Sequence, residues 1–285
     1  MSIQAHRAIE ASRAESVTWK IHCEVALLLG WARAILLQLA HPLVAQGVAE
    51  HSSFLAQRRG RWRRLRRTLD AMLTLTFGTA DQVAEVARRI NAIHDRVNGR
   101  LDDLAGEFSA DRAYSAHDPE LLRWVHATLL DSFLLTYELY VGPLTPEEQD
   151  RYCAEAGAIE PLLGIPRGSV PVSLETLRRY MDEMLRDGEI AVTDTARLLA
   201  RAIVWPPLPR AAWPVVWFMQ LPTIGLLPAS IREAYGFPWD SRRDVALRLS
   251  ARLIRGLLPL APSIVRHWPA ARVALRREHS RARAA

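Results

Sequence analysis

Lysine is almost absent from this chain of 285 residues. Lys20 is the only one, so nearly all of the 37 Lys and Arg residues are arginine. Schiff-base and lysine general-base chemistry would have to fall to Lys20 or the N-terminus. Cysteine is as scarce: Cys23 and Cys153 stand far apart. That excludes a disulfide framework, a CxxC redox pair, zinc-ribbon spacing and the CxxCH of covalent haem attachment. The opening MSIQAHRAIEASRAES is polar and lacks a signal-peptide core, so a cytoplasmic location is expected. HExxH, GxSxG, Walker A and a strand-borne GxGxxG are all missing, which removes the common hydrolase and nucleotide-binding templates. No repeat and no convincing strand alternation is visible.

What remains is helical, with enough apolar residues for a large core. Residues 17–39 are apolar on nearly every side and read as one long buried helix, limited by Pro42. A helix over 61–77 is marked by Leu65, Thr68, Leu69, Met72 and Thr76, with Gly78 at its stop. Val83, Val86, Ile90, Ile93 and Val97 stripe a helix over 81–97, ended by Gly99. Asp118-Pro119 opens a helix to about Tyr140, and Thr145-Pro146-Glu147-Glu148 is a capping box opening another. Ser173 and Thr193 cap helices near 174–186 and 194–205, and Asp240 or Ser241 begins one to about Leu258. The expected architecture is all-α: a polar segment over 1–16, one helical domain of about ten helices over 17–260, and a basic C-terminal helix or tail over 261–285.

Residues 211–231 carry no charge and are just long enough to span a bilayer. Pro214, Pro222 and Pro228 interrupt them, so they read as broken helix and loop packed on the core. Peripheral membrane contact helped by the tryptophans is the alternative.

Seven of the nine histidines lie in the first 126 residues. Three sit on apolar faces: His94 between Ile90 and Val97, His126 on the face of Leu122, Leu129 and Phe133, and His41 at a helix break before Pro42. A lone histidine in such a place is usually a hydrogen-bonded core residue. Three in separate helices make a shared pocket the sharper reading, because imidazole ligates iron and moves protons near neutral pH. Residues 58–67 hold seven arginines at a helix start, where the macrodipole disfavours cations. A solvated face, nucleic-acid phosphate and a bound carboxylate are the three readings. Arg64 and Arg67 flank Thr68 and can lean inward, while Arg58, Arg59 and Arg63 face solvent. Without a recognition helix, no nucleic-acid partner is expected.

Five stretches carry a family resemblance over roughly residues 18–260: LLLGWARAILLQLAHPLVAQGVAEHSSF, RRTLDAMLTLTFGT, RRINAIHDRVNG, YSAHDPELLRWVHATLLDS and LPASIREAYGF. Together they resemble the helical family of the latex-clearing (rubber) oxygenases and the MpaB-type oxygenase. The resemblance implies a globin-like helical core with haem b, dioxygen as co-substrate, and an apolar, isoprenoid or other alkene-containing small molecule as substrate. It assigns His94 as proximal iron ligand, and sets Arg64, Arg67 and Thr68 across the haem. His126 joins the catalytic candidates, and His41 the cofactor-binding ones, from the residue reading. In rubber oxygenases a lysine of the distal motif can approach the iron. Arg67 stands at that position, and a guanidinium is a very poor ligand, so a five-coordinate or water-bound iron follows. The function expected is a haem-dependent oxygenase, and the alternative is a non-enzymatic haem or lipid carrier or sensor.

Overall fold

The computed structural model describes residues 16–51 and 58–284, without the side chains of 58–64, 279 and 281–284. The chain is 72% helical, with two short strands among the described residues.

The expected long first helix is broken. Helix α1 (Val17–His22) stops, Glu24 turns extended, a 3-10 turn follows (Val25–Leu27), and α2 (Leu28–Leu39) resumes. The cause is a distant partner. Glu24 is 2% exposed, and Arg266 grips its carboxylate twice through Nε, at 2.8 and 2.9 Å, and once through Nη2 at 2.5 Å. A continuous helix would not place that buried carboxylate in the arginine fork. An unpaired buried charge costs more than one lost helical turn.

Helix α3 (Pro42–His51) leaves the line of the preceding helical segment at 105°. The Nδ1 of His41 accepts the Leu43 amide at the bend (3.3 Å), satisfying one of the free donors that begin α3. Helix α4 (Arg58–Phe77) and α5 (Ala80–His94) pack together across the short link of Gly78 and Thr79. Thr79 and Gln82 close a capping box at the start of α5. Helix α5 ends at His94, short of the expected Val97, because the chain enters a two-stranded hairpin: β1 (Asn98–Arg100) pairs antiparallel with β2 (Ala113–Ser115), Gly99 opposite Tyr114. Strands of three residues are too short to show alternation in the sequence. A side chain at Gly99 would meet the Tyr114 hydroxyl at 2.6 Å, so the glycine serves this pairing rather than a helix end.

Helix α6 (Pro119–Tyr140) is the axis of the molecule, capped by Asp118 as expected. Helix α2 lies along it at close range: a Cβ at Gly30 would fall 2.0 Å from Thr136 Oγ1. Leu36, Leu37, Trp124 and Phe133 fill the core between these and later helices. Arg33 is buried there too, its guanidinium donating to Ser132 Oγ (2.6 Å) and the Leu226 carbonyl (2.6 Å) and pairing with Asp131 (2.7 Å).

Around this axis stand α7 (Pro146–Ala156), α8 (Glu160–Leu163), α9 (Leu174–Arg186) and α10 (Asp194–Val204). The caps at Thr145, Ser173 and Thr193 form as read. The proline-rich segment is less broken than expected: α11 (Trp213–Gly225) runs through Pro222. The Thr223 hydroxyl donates to the Met219 carbonyl (2.7 Å), adding a local bond beside the donor that proline removes. After α12 (Ala229–Ala234), Tyr235 donates its hydroxyl to the Leu36 carbonyl (2.7 Å), tying this late segment to α2. Then come α13 (Ser241–Leu257), the short α14 (Ser263–Arg266) and α15 (Pro269–Ala284). Ala271 and Ala274 of α15 fold back against Trp19 and Phe77.

No single helix among the described residues is long and apolar enough to cross a membrane. The bent segment of residues 25–51 has the length and composition as a pair, yet its Leu36, Leu37 and Leu39 are part of the central core.

Candidate functional site

His94 closes α5, half-buried. Its Nδ1 is buried, and no hydrogen bond reaches it among the described residues. The His117 ring stands edge-on at 5.8 Å, and His117 Nε2 in turn lies 2.7 Å from Asp95 Oδ1. Burial, then His117, pushes the His94 pKa below its ordinary value, against a smaller opposing pull from Asp95. The ring is therefore neutral near pH 7 and keeps a free lone pair. Asn91, one turn back, anchors α5 by donating to the Leu162 carbonyl (3.0 Å).

A second histidine cluster lies where α1, α4, α6 and α7 meet. His22 contacts Thr76 Oγ1 through Nδ1 (3.2 Å) and the Tyr152 hydroxyl through Nε2 (2.8 Å). Thr76 already donates to the Met72 carbonyl, so its oxygen accepts here. That fixes the hydrogen of His22 on Nδ1 and leaves Nε2 to accept from Tyr152. His126 is near enough to His22 to act on its charge, and burial is the larger cause that brings the His22 pKa down to about 4. His126 itself is lowered to about 4 by burial. Its Nε2 is buried, and no hydrogen bond reaches it among the described residues. Sequence reading missed His22, although a histidine inside the apolar 17–39 run was as conspicuous as the three it selected.

His41 makes no ring contact with either cluster among the described residues, and Asp118, the neighbour of His117, acts on its charge. His41 is buried, tilted against Phe108 with ring centroids 5.2 Å apart, and lowered to about 4, mainly by burial. No ring contact joins any two of His41, His94 and His126 among the described residues.

The side chain of Arg64 lies outside the described residues, as do those of Arg58, Arg59 and Arg63. Arg67 and Thr68 are exposed and make no hydrogen bond or ion pair among the described residues. Periodicity put Thr68 on the apolar face of α4, but that face is carried by Leu69, Met72, Leu73 and Phe77, which pack on the core clusters. The neighbouring arginines keep the first part of the described surface of α4 in solvent. Two apolar side chains on this helix pair are also uncovered: Leu65 is 37% exposed and Ile93, beside His94, is 52% exposed.

One further group has metal-ligand composition. Single ligand atoms of Cys23, Glu24 and His267 come within 4.8 Å of one another. Its carboxylate is already held by Arg266, and burial beside Glu24 pushes the Cys23 thiol up to about 12, away from the thiolate a metal needs. This group therefore reads as a structural clasp between the two ends of the chain.

Among protein families, residues 19–256 match the one described as ER-bound oxygenase mpaB/B'/Rubber oxygenase, catalytic domain. No curated protein and no solved structure matches the chain.

Proposed function

The chain belongs to the MpaB and rubber oxygenase catalytic-domain family, and from that premise we propose that it is a haem b-dependent oxygenase acting on an apolar, alkene-containing small molecule. The carrying observation is His94: a neutral imidazole whose buried Nδ1 has no hydrogen-bond partner among the described residues, beside an exposed Ile93. Those properties fit an axial iron ligand, which needs a free lone pair and an apolar face against the macrocycle. His126 fits the ligand type as well, since its buried Nε2 has no hydrogen-bond partner among the described residues. Like His94 it is only half-buried; the family resemblance puts the iron at His94, so His126 is assigned to the pocket wall rather than to the metal. His41 already uses Nδ1 to cap α3, and remains the second choice for cofactor contact through its other nitrogen.

A bound haem would supply the iron at which dioxygen is activated. The residues of this chain do the rest. His94 holds the group from the end of α5. Arg64 stands about as far as His94 from the Gly78–Thr79 link, roughly 20 Å along its own helix, so a hairpin sets the two level. Arg67 and Thr68 follow on the next turn with free hydrogen-bonding groups. The guanidiniums of Arg64 and Arg67 would offer charge-assisted donors to haem carboxylates, and the Thr68 hydroxyl would offer a further hydrogen bond beside them. Arg67 cannot take the place of a ligating lysine. Leu65 and Ile93 offer the alkene and the macrocycle an apolar surface.

The experiment is an absorption spectrum of protein expressed with ample haem. A Soret band is expected, and His94→Ala should abolish or shift it. A colourless protein sinks the proposal, and an unchanged spectrum in the variant moves the ligand to His41 or His126. Oxygen uptake stoichiometric with an added alkene separates the enzyme from a carrier or sensor, which would be coloured but would consume nothing.

A further inference from the structure

Helix α13 has two apolar sides, and the fold covers one. Leu247, Ala251 and Ile254 face inward against Leu221 and Phe218 of α11. On the other side Val245, Leu249, Leu253 and Leu257 recur every fourth residue, and each is more than half exposed. Leu260, Ile264 and Val265 extend the exposed apolar run beyond the helix. The neighbouring α11 adds exposed Trp213, Val215 and Trp217. Single exposed leucines are ordinary, but a continuous row of them calls for something that covers it.

The charge around the row says what. From Val245 to Arg277 the sequence contains seven arginines and no aspartate or glutamate. Arg248 pairs with Asp244 and Arg266 with Glu24. Arg252, beside the row on the helix surface, Arg255, further round the helix, and Arg242 at its start make no ion pair among the described residues. A second copy of this face would bring arginine against arginine, with no acidic group to answer. An anionic lipid surface answers all three features. Leucines enter the acyl boundary, arginine heads meet phosphates while their stems lie along the apolar surface, and tryptophan sits at headgroup depth.

We propose that α13, the segment after it and the exposed side of α11 dock the protein peripherally on bilayers rich in anionic phospholipid. The docking does not depend on the haem reading. Should both hold, an apolar substrate would be delivered from the membrane in which it dissolves.

The test is co-sedimentation of the full chain with vesicles of phosphatidylcholine alone, or of phosphatidylcholine and phosphatidylglycerol in equal parts. Binding to the anionic vesicles should exceed binding to the neutral ones by about tenfold or more and weaken with added salt. Tryptophan emission should shift to the blue on binding. Leu249→Glu with Leu253→Glu should lose binding to anionic vesicles. Arg252→Glu with Arg255→Glu should lose the anionic preference. Val172→Glu, at an exposed apolar residue elsewhere on the surface, should bind as the parent does. All these positions are exposed, so thermal melts should stay close to the parent. The proposal is overturned if the parent chain ignores anionic vesicles. It is also overturned if Val172→Glu abolishes binding equally. A parent chain that forms a dimer split by Leu253→Glu, while vesicles have no effect, assigns the face to a second copy instead.

Discussion

The helices around α2 and α6 and the pair α11–α13 draw on similar residues, rich in leucine and arginine, and place them in opposite ways. Between α2 and α6 the most deeply buried arginine is met on every side. Arg33, 3% exposed, has Asp131, Ser132 and the Leu226 carbonyl around its guanidinium. The histidines there, His22, His41 and His126, have lost the proton that would make them cations. On α13, Arg252 and Arg255 make no ion pair, and the leucines of the exposed row are left uncovered, among the described residues. The first arrangement explains itself within the fold and the second does not, which is why the second points outward to a partner.

The largest effect that separates the two regions should come from arginine itself. Arg33→Ala leaves the half-buried Asp131 without its cation and opens a hole where the buried guanidinium stood. It should cost about 3–5 kcal/mol, read from the urea midpoint. Arg252→Ala should change stability by no more than about 0.5 kcal/mol. Equal costs would mean that α13 is as internally satisfied as α2, and the contrast would collapse.

A second effect, somewhat smaller, comes from pH. His22, His41 and His126 titrate near 4 in the folded protein against an ordinary 6.5. Between those values the unfolded chain binds more protons than the folded one, so stability rises with pH there. The contribution is complete above about pH 6.5 and is lost as pH falls through 4. Each full shift is worth roughly 3 kcal/mol, and less for His22 and His126 where they couple. Denaturant midpoints measured across that window should fall steeply for the parent and less steeply for His126→Gln. A parent profile flat from pH 6.5 to 4 would contradict neutral burial.

How much of this was legible in the sequence depends on distance along the chain. Asp118, Thr145, Ser173, Thr193 and Asp240 announce their helices because a cap is a contact between residues two or three apart. The break after His22 was not legible, since its cause is an arginine at position 266. His22 went unread for the same reason: its partners, Thr76 and Tyr152, come from α4 and α7. Thr68 was misplaced because the apolar stripe of α4 fades where the arginine run begins. For the candidate site, the residue types and the helix bearing His94 could be read, and the family match supports the oxygenase class. The unpartnered nitrogens of His94 and His126 could not, because what surrounds them among the described residues is set by distant elements, and no local pattern encodes that.

The smallest effect concerns how firmly each region is held. The Asp240 carboxylate accepts the Arg243 amide at 2.9 Å and caps α13. Asp240→Ala should cost about 1 kcal/mol. Helix α13 buries little beyond Leu247 and Ala251, whereas α2 and α6 are buried along most of their length. The loss should therefore appear as faster amide exchange confined to the first turns of α13, with the amides of α2 and α6 unchanged. Faster exchange in α6 as well would mean that α13 and the central helices open together. In that case the exposed leucine row would belong to the same cooperative unit as the histidine core, and the division between an inward-satisfied and an outward-facing region would be one of surface chemistry alone.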